Sequence, residues 1–288
     1  MALGFNVVLA PPTARTRRRG TLLLDVIRPL PPIEQVSVGG VADRDVSQRW
    51  RMGLRFQPWP RDQWATLAED PCVDHVKDDA LAFESEVTAD PFTAYKAVIC
   101  STLSANFEEF RGLLAADAQL NASDILATHL MNPAATLNLP DAAVAHTAGE
   151  HSPARSVGII DDALDLALGG AQGLVLMDPQ TAATAGDSIE DTDGDGNYYT
   201  RSGHRVVIHS QFRTLATADG GGALGIDDGM VYGLGDLFGT VTEAVFFDDG
   251  AGQLLDIREN LGEVRAEVFG IVAFESDTVF WQRVTLPA

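Results

Sequence analysis

The chain has 288 residues, a formal net charge of −21, and 45% hydrophobic against 21% charged residues. That length can bury about three quarters of the unfolded surface, enough for one large domain or two closely connected ones. No run of 18 apolar residues offers a membrane span, and the N-terminus carries its charges after its apolar residues, the reverse of a secretory signal, so a soluble, unexported protein is expected.

Only two lysines, Lys77 and Lys96, stand against eighteen arginines, and 28 Asp outnumber 13 Glu. A dense, Asp-weighted surface stays hydrated at high salt, where its self-repulsion is screened, so a halophilic host is one reading; high-GC codon usage would deplete lysine equally. Two cysteines, Cys72 and Cys100, make neither a disulfide framework nor a zinc site.

Residues 1–40 read as an arm. Prolines 11, 12, 29, 31 and 32 favour extended geometry before them, with a short strand expected at Thr21–Ile27. Arg15, Arg17, Arg18 and Arg19 form a cationic cluster without an acid in the first twenty residues. Such a cluster suits phosphates, an acidic neighbour or another copy of the chain, and is also what a solvated tail looks like.

From Val46 to Val98 the pattern is aromatic and extended, with Trp50, Phe56, Trp59 and Trp64 in its first half and Phe83, Val87, Phe92 and Tyr95 in its second. This predicts a long, partly two-stranded excursion. Large aromatics are costly to leave in water, so the segment is expected to lie on another surface, a second subunit or the same chain's sheet.

Ser104–Met131 is the longest helical pattern. At about 100° per residue, Leu103, Phe107, Phe110, Leu114 and Ala118 share one stripe. Ser104 is a candidate N-cap, Glu108 and Glu109 suit the positive end of the helix dipole, and Pro133 stops the run. Beyond Asn121 the stripe weakens: Ile125 returns to it while Leu120, Leu126 and Leu130 point elsewhere, which predicts a bend, an end, or a second helix capped at Ser123.

Asn132–Ser152 reads as a loop and Pro153–Leu168 as a helix ended by Gly169-Gly170, with Val157, Ile160, Leu164 and Leu168 inward and Asp161 at the border of its wet side. Gly173–Met177 is an apolar strand, Asp178-Pro179 opens a helix reaching Ala185, and Tyr198–Tyr199 and His204–His209 are strands around Ser202-Gly203. Residues 214–235 hold clustered glycines and aspartates and read as a flexible exposed loop. Val241–Phe247, Gln253–Glu259, Gly262–Phe274 and Thr278–Val284 close the chain as strands. The class is α+β.

One motif has metal character. Asp191, Asp193 and Asp195 followed by Gly196 match the first half of a calcium loop, but position 12 is Ser202 rather than a bidentate glutamate; an acidic hairpin turn fits the same residues. The histidines sit in no catalytic frame, His204 and His209 would point to opposite strand faces, and Asp161/Asp165 read as a solvated helix face. No catalytic residues, no enzyme activity and no cofactor are expected, calcium being the one ion the acidic turn would take.

The order of elements resembles the major capsid protein of tailed phages, the Hong Kong 97 capsid fold that encapsulins share. GLVLMDPQTAATAG and GNYYTRSGHRVVIHS resemble that family's axial strand, short helix and hairpin; NLGEVRAEVFGIVAFESDTVFWQRV resembles its closing strand pair; DPFTAYKAVICST resembles the lead into its spine helix. The resemblance implies an N-terminal arm at 1–40, an extended loop and lead-in strand at 41–98, a peripheral domain with the spine helix at 99–152, an axial domain at 153–252 and return strands of the peripheral domain at 253–288. It implies a shell assembled in the host cytoplasm from many copies in hexamers and pentamers around dsDNA, the virion capsid, with portal, scaffold or decoration proteins and no membrane. Trp50, Phe56, Trp59 and Trp64 would anchor the contacts between subunits, and the Arg15–Arg19 arm would face DNA or a neighbour. An encapsulin-like compartment, or an acidic calcium-dependent binding module or hydrolase using Asp191–Asp195, are the alternatives.

Overall fold

The structure, a computed structural model, describes residues 23–29, 54–56, 87–101, 107–146, 149–191, 196–214, 224–225, 227–241, 245–247, 261–274 and 278–287. A turn of helix α1 (Leu23–Val26) and β1 (Arg28–Pro29) are followed by β2 (Leu54–Phe56), β3 (Val87–Ala89) and β4 (Pro91–Ser101). The spine helix α2 (Phe107–Leu130), α3 (Leu139–Ala142), β5 (Val144–Ala145) and α4 (Pro153–Leu168) come next. Then β6 (Leu174–Met177), α5 (Pro179–Thr184), β7 (Ile189–Asp191), β8 (Tyr198–Thr200) and β9 (Arg205–Ile208) lead to β10 (Asp228–Leu234), β11 (Leu237–Val241), β12 (Val245–Phe247), β13 (Leu261–Phe274) and β14 (Phe280–Thr285).

Two sheets organise these elements. In the first, β13 pairs antiparallel with β4 along one edge and with β11 and β12 along the other, and β1 joins β11 in parallel. The second has seven strands in the order β5-β14-β10-β6-β9-β8-β7, with β6 and β9 parallel. All four residues of β6, Leu-Val-Leu-Met, are buried, as a strand covered on both faces requires. Leu174 and Leu176 enter a core with Leu126, Leu130, Met230, Tyr232 and Phe274, whereas Val175 and Met177 enter one with Val157, Ile160, Leu164 and Val231. The seven-stranded sheet therefore lies between α4 and the C-terminal half of α2.

Local chemistry explains the elements that match expectation. Helix α4 starts with Pro153 at its first turn and ends at Gly169 in the left-handed region, φ 59°, whose N–H donates to the carbonyl of Asp165. Asp178 caps α5 by accepting the N–H groups of Gln180 and Thr181. Within the expected excursion Val46–Val98, β2 pairs antiparallel with β3, Phe56 opposite Val87, and residues 46–53 and 57–86 lie outside the described residues.

Several expectations are corrected. Of the expected strand Thr21–Ile27, Leu23–Val26 is instead the helical turn α1, which places Val26 in one core with Leu126, and residues 21–22 lie outside the described residues. The spine neither ends nor restarts at Asn121–Ser123. It runs unbroken, with the Asn121 side-chain amide donating to the Asp117 carbonyl one turn back at 2.8 Å. Leu126 and Leu130, expected off the core stripe, are fully buried, because the helix changes partner along its length. Near its middle, Asp117 pairs with Lys96 of β4, whereas its last turns pack under the second sheet against Val207 and Phe212.

Asn132–Ser152 contains α3 and β5. Buried Asn138 organises it, accepting the Asp141 N–H at 2.9 Å and donating to the Ala135 carbonyl at 3.0 Å. The largest correction concerns 214–235, expected to be a flexible loop, of which 215–223 and 226 lie outside the described residues. Its second half is β10, a central strand whose Met230, Val231, Tyr232 and Leu234 have no exposed surface. Gly233 is there for close approach: a Cβ would meet Ile160 Cγ2 of α4 at 2.6 Å. Of the expected run Val241–Phe247, Val241 ends β11 and Val245–Phe247 form β12, while 242–244 and Gln253–Glu259 lie outside the described residues. Residues 253–288 divide between the sheets, β13 in the first and β14 beside β10 in the second.

Candidate functional site

Most side chains singled out by the sequence lie outside the described residues: Arg15, Arg17, Arg18, Arg19, Trp50, Trp59, Trp64, Asp193 and Asp195. Phe56 is in β2. Asp191 ends the exposed edge strand β7, paired in a hairpin with Tyr198 of β8, and its carboxylate accepts the Gly196 N–H at 3.2 Å. Among the described residues no group of three or more His, Cys, Asp or Glu side chains is arranged to hold a metal ion.

The described histidines fall at junctions between elements. His204 and His209 take opposite faces of β9, as the strand period requires. His209 faces the spine helix, its Nε2 against the Asp124 carboxylate at 2.5 Å. His129, near the end of the spine helix, stacks on Phe92 of β4 with ring centroids 4.7 Å apart. Burial pushes the His129 imidazole below its ordinary value, and the nearby charge of Asp90 opposes this in part.

His204 faces α4 and is 1% exposed. Its Nδ1 accepts the Gly173 N–H at 2.9 Å, so the neutral ring carries its proton on Nε2. That nitrogen lies 3.2 Å from Asp165 Oδ1 and 3.9 Å from Asp161 Oδ1. Ser202 donates its hydroxyl to the other oxygen of Asp161 at 2.8 Å. Ser202 is thus bonded to a carboxylate and not to the imidazole, and Nδ1 is taken by the backbone. This is not the arrangement of an activated serine, in which the imidazole accepts the hydroxyl proton. The pair Asp161/Asp165, expected on a solvated face, is corrected: Asp161 is buried. Its position four residues after Val157 and three before Leu164, both buried, is the sequence signal that places it on the inner stripe.

Neither a protein-family model nor a curated protein sequence matches the chain. Solved structures do. A structure of Mycobacterium phage Che8 aligns over 97% of this chain and 98% of its own, at 12% identity and a TM-score of 0.53. The capsid of Ralstonia phage GP4 aligns over 100% of this chain and 98% of its own, at 11% identity and a TM-score of 0.51. The SrpI encapsulin of Synechococcus elongatus aligns more loosely, over 70% of this chain and 76% of its own, at 13% identity and a TM-score of 0.43. The fold is the α+β capsid fold of the Hong Kong 97 type. At 11–12% identity the likeness lies in the course of the backbone rather than in shared side chains.

Proposed function

We propose that the chain is a shell subunit, the major capsid protein of a tailed virus, which assembles into a closed icosahedral head around dsDNA. The observation that supports this best is the end-to-end correspondence with the capsid of Ralstonia phage GP4. Nothing in the reading requires an enzyme. Residues 1–40 act as an arm, 41–98 as the extended loop with its lead-in strand, 99–152 as the peripheral domain with the spine, 153–252 as the axial domain, and 253–288 as returning strands shared by both sheets.

The mechanism is repetition of one set of contacts until the surface closes, with heterologous interfaces that form hexamers and pentamers. Buried aromatic anchors carry most of the affinity at such contacts. Trp50, Phe56, Trp59 and Trp64 are assigned that role because they cluster in one extended segment, and Arg15, Arg17, Arg18 and Arg19 are assigned to DNA or an acidic neighbour because they are the densest cationic run on an acidic chain. Scaffold, portal and decoration proteins are the further partners, without a membrane, and assembly takes place in the host cytoplasm. Calcium at Asp191, Asp193 and Asp195 is a subsidiary proposal for the same acidic hairpin.

Negative-stain microscopy of the purified chain tests the main reading. Closed shells of uniform size are expected, and a persistent monomer at high protein concentration would overturn it. Nuclease-protected dsDNA inside particles distinguishes a viral head from a compartment holding protein cargo. Neutralising the four arginines should lower DNA retention, and unchanged retention removes the DNA role from the arm.

A further inference from the structure

We propose that His204 is an acid-operated latch on the connector between α4 and β6. The connector, residues 169–173, is tied to the β8–β9 turn by three hydrogen bonds. Gly173 N–H donates to His204 Nδ1 at 2.9 Å, Gln172 Nε2 donates to the Gly203 carbonyl at 2.9 Å, and Arg205 N–H donates to the Gly173 carbonyl at 3.0 Å. The turn is tied to α4 on its other side by the Ser202 hydroxyl on Asp161, and the carboxylate of Asp165 lies 3.2 Å from His204 Nε2, a buried nitrogen that makes no hydrogen bond. His204 therefore sits between the two elements, bonded to the connector through Nδ1 and facing the α4 carboxylates through Nε2.

An imidazole that gains a proton becomes a donor at both nitrogens. Because Nε2 already carries the ring proton, a second one can go only to Nδ1, and Nδ1 then opposes the Gly173 N–H instead of accepting it. The charged ring is simultaneously attracted by Asp161 and Asp165. Protonation thus exchanges partners: the bond from the connector to Nδ1 is lost, and the charged ring is drawn to the α4 carboxylates beside Nε2. Among the described residues, the charged groups within ion-pair distance of the ring are those two aspartates, both on α4. From β8 the ring's own residue is held through the Thr200 hydroxyl, which accepts the His204 N–H at 3.1 Å, and from β9 the neighbouring Arg205 directs its guanidinium to the Asp25 carbonyl at 3.3 Å. The Gly173 N–H then faces a proton in place of its acceptor and must turn toward water, which loosens the connector while its bonds through Gln172 and the Gly173 carbonyl remain.

Two features make this a device rather than a generic buried histidine. The ring is 1% exposed, so a hydrogen bond lost at Nδ1 is not made good by bulk water at the ring itself. Arg205, which shares the connector through its backbone N–H, also holds α1 through Asp25, so the opening lies one residue from where the N-terminal segment docks.

Hydrogen exchange read by mass spectrometry on the full-length protein tests the latch. Protection factors, corrected for the intrinsic pH dependence of exchange, are measured over residues 169–176 between about pH 8 and pH 5 for the wild type and His204→Asn, whose amide oxygen can accept from Gly173 but cannot take a proton. Wild-type protection should fall roughly tenfold on acidification while the variant stays level. The same fall in both, or a fall in neither, overturns the proposal. Asp165→Asn, at a half-exposed position that tolerates the change, serves if His204→Asn does not fold. Removing that negative charge should displace the loss of protection to lower pH, and an unmoved transition overturns the proposal equally.

Discussion

Gly233 of β10 offers the most direct test of how the second sheet is packed. A Cβ built there meets Ile160 Cγ2 at 2.6 Å and Leu164 Cγ and Cδ1 at 3.3 and 3.4 Å. The first contact is about 1 Å inside the usual carbon–carbon separation, and both partners belong to a helix held along its buried stripe. Inserting a methyl into such a site costs about 1–3 kcal/mol. Against this, replacing a strand glycine recovers roughly 0.5–1 kcal/mol of backbone entropy. Gly233→Ala should therefore lower subunit stability by about 1–2 kcal/mol net. Gly158 is the control, on the same helix, exposed, with nothing within 4 Å of a new Cβ. Gly158→Ala should stabilise by about 1 kcal/mol through helix propensity alone. Urea unfolding of unassembled subunits, followed by the fluorescence of the chain's tryptophans, among them Trp281, paired across the sheet from Tyr232 of β10, measures both. In an Ile160→Ala background, which removes the opposing Cγ2, the cost of Gly233→Ala should shrink. A Gly233→Ala subunit as stable as the wild type would refute the close approach of α4 and β10.

Three further outcomes are expected. Leu126→Ala, at a fully buried position of the spine helix, should cost about 2–5 kcal/mol in the same unfolding assay, and a neutral result would contradict the rotation of the buried face along the helix. Burial lowers the His129 imidazole below the ordinary 6.5, so the unfolded chain takes up a proton that the folded chain refuses until more acidic pH. Stability from this group is complete above 6.5 and lost as pH falls from there through the lowered folded value; His129→Gln should flatten that part of the stability–pH curve, and parallel curves for variant and wild type exclude the effect. Millimolar calcium should raise the melting temperature only if Asp191, Asp193 and Asp195 converge on an ion, and Asp193→Asn with Asp195→Asn should then abolish the rise. An unchanged melting temperature leaves an acidic hairpin.

The parts of the fold legible in the sequence are those in which one local rule acts alone. Helix α4 has a proline at its start, a left-handed glycine at its end and an inward stripe between them, and its bounds are those the pattern predicts. The strand–helix unit at β6 and α5 is similarly marked by a fully apolar run and an aspartate cap. The spine was half legible. Its length follows from the absence of breakers, but its buried face depends on which sheet lies beneath each turn, and that is set by strands distant in the sequence, β6, β9, β10 and β13 among them. Asp161 could have been placed inward by its spacing to Val157 and Leu164, yet its partners, Ser202 and His204, are joined to it only by the tertiary fold.

The glycine-rich stretch at 214–235 shows why composition misleads at this point. Glycine is entropically expensive to order, so a run of glycines argues for a loop when nothing is known of the neighbours. The argument reverses when a helix must lie directly on a strand, because only a missing Cβ permits the contact. Gly229 and Gly233 alternate with Val231 on the face toward α4 and α5, while Met230, Tyr232 and Leu234 fill the opposite core. Read with a period of two, that is a strand with one slender face and one bulky face. The cost of ordering its glycines is offset by the fit of the α4 stripe against them, so larger residues at these positions would push the helix away from the sheet and with it the carboxylates that hold His204.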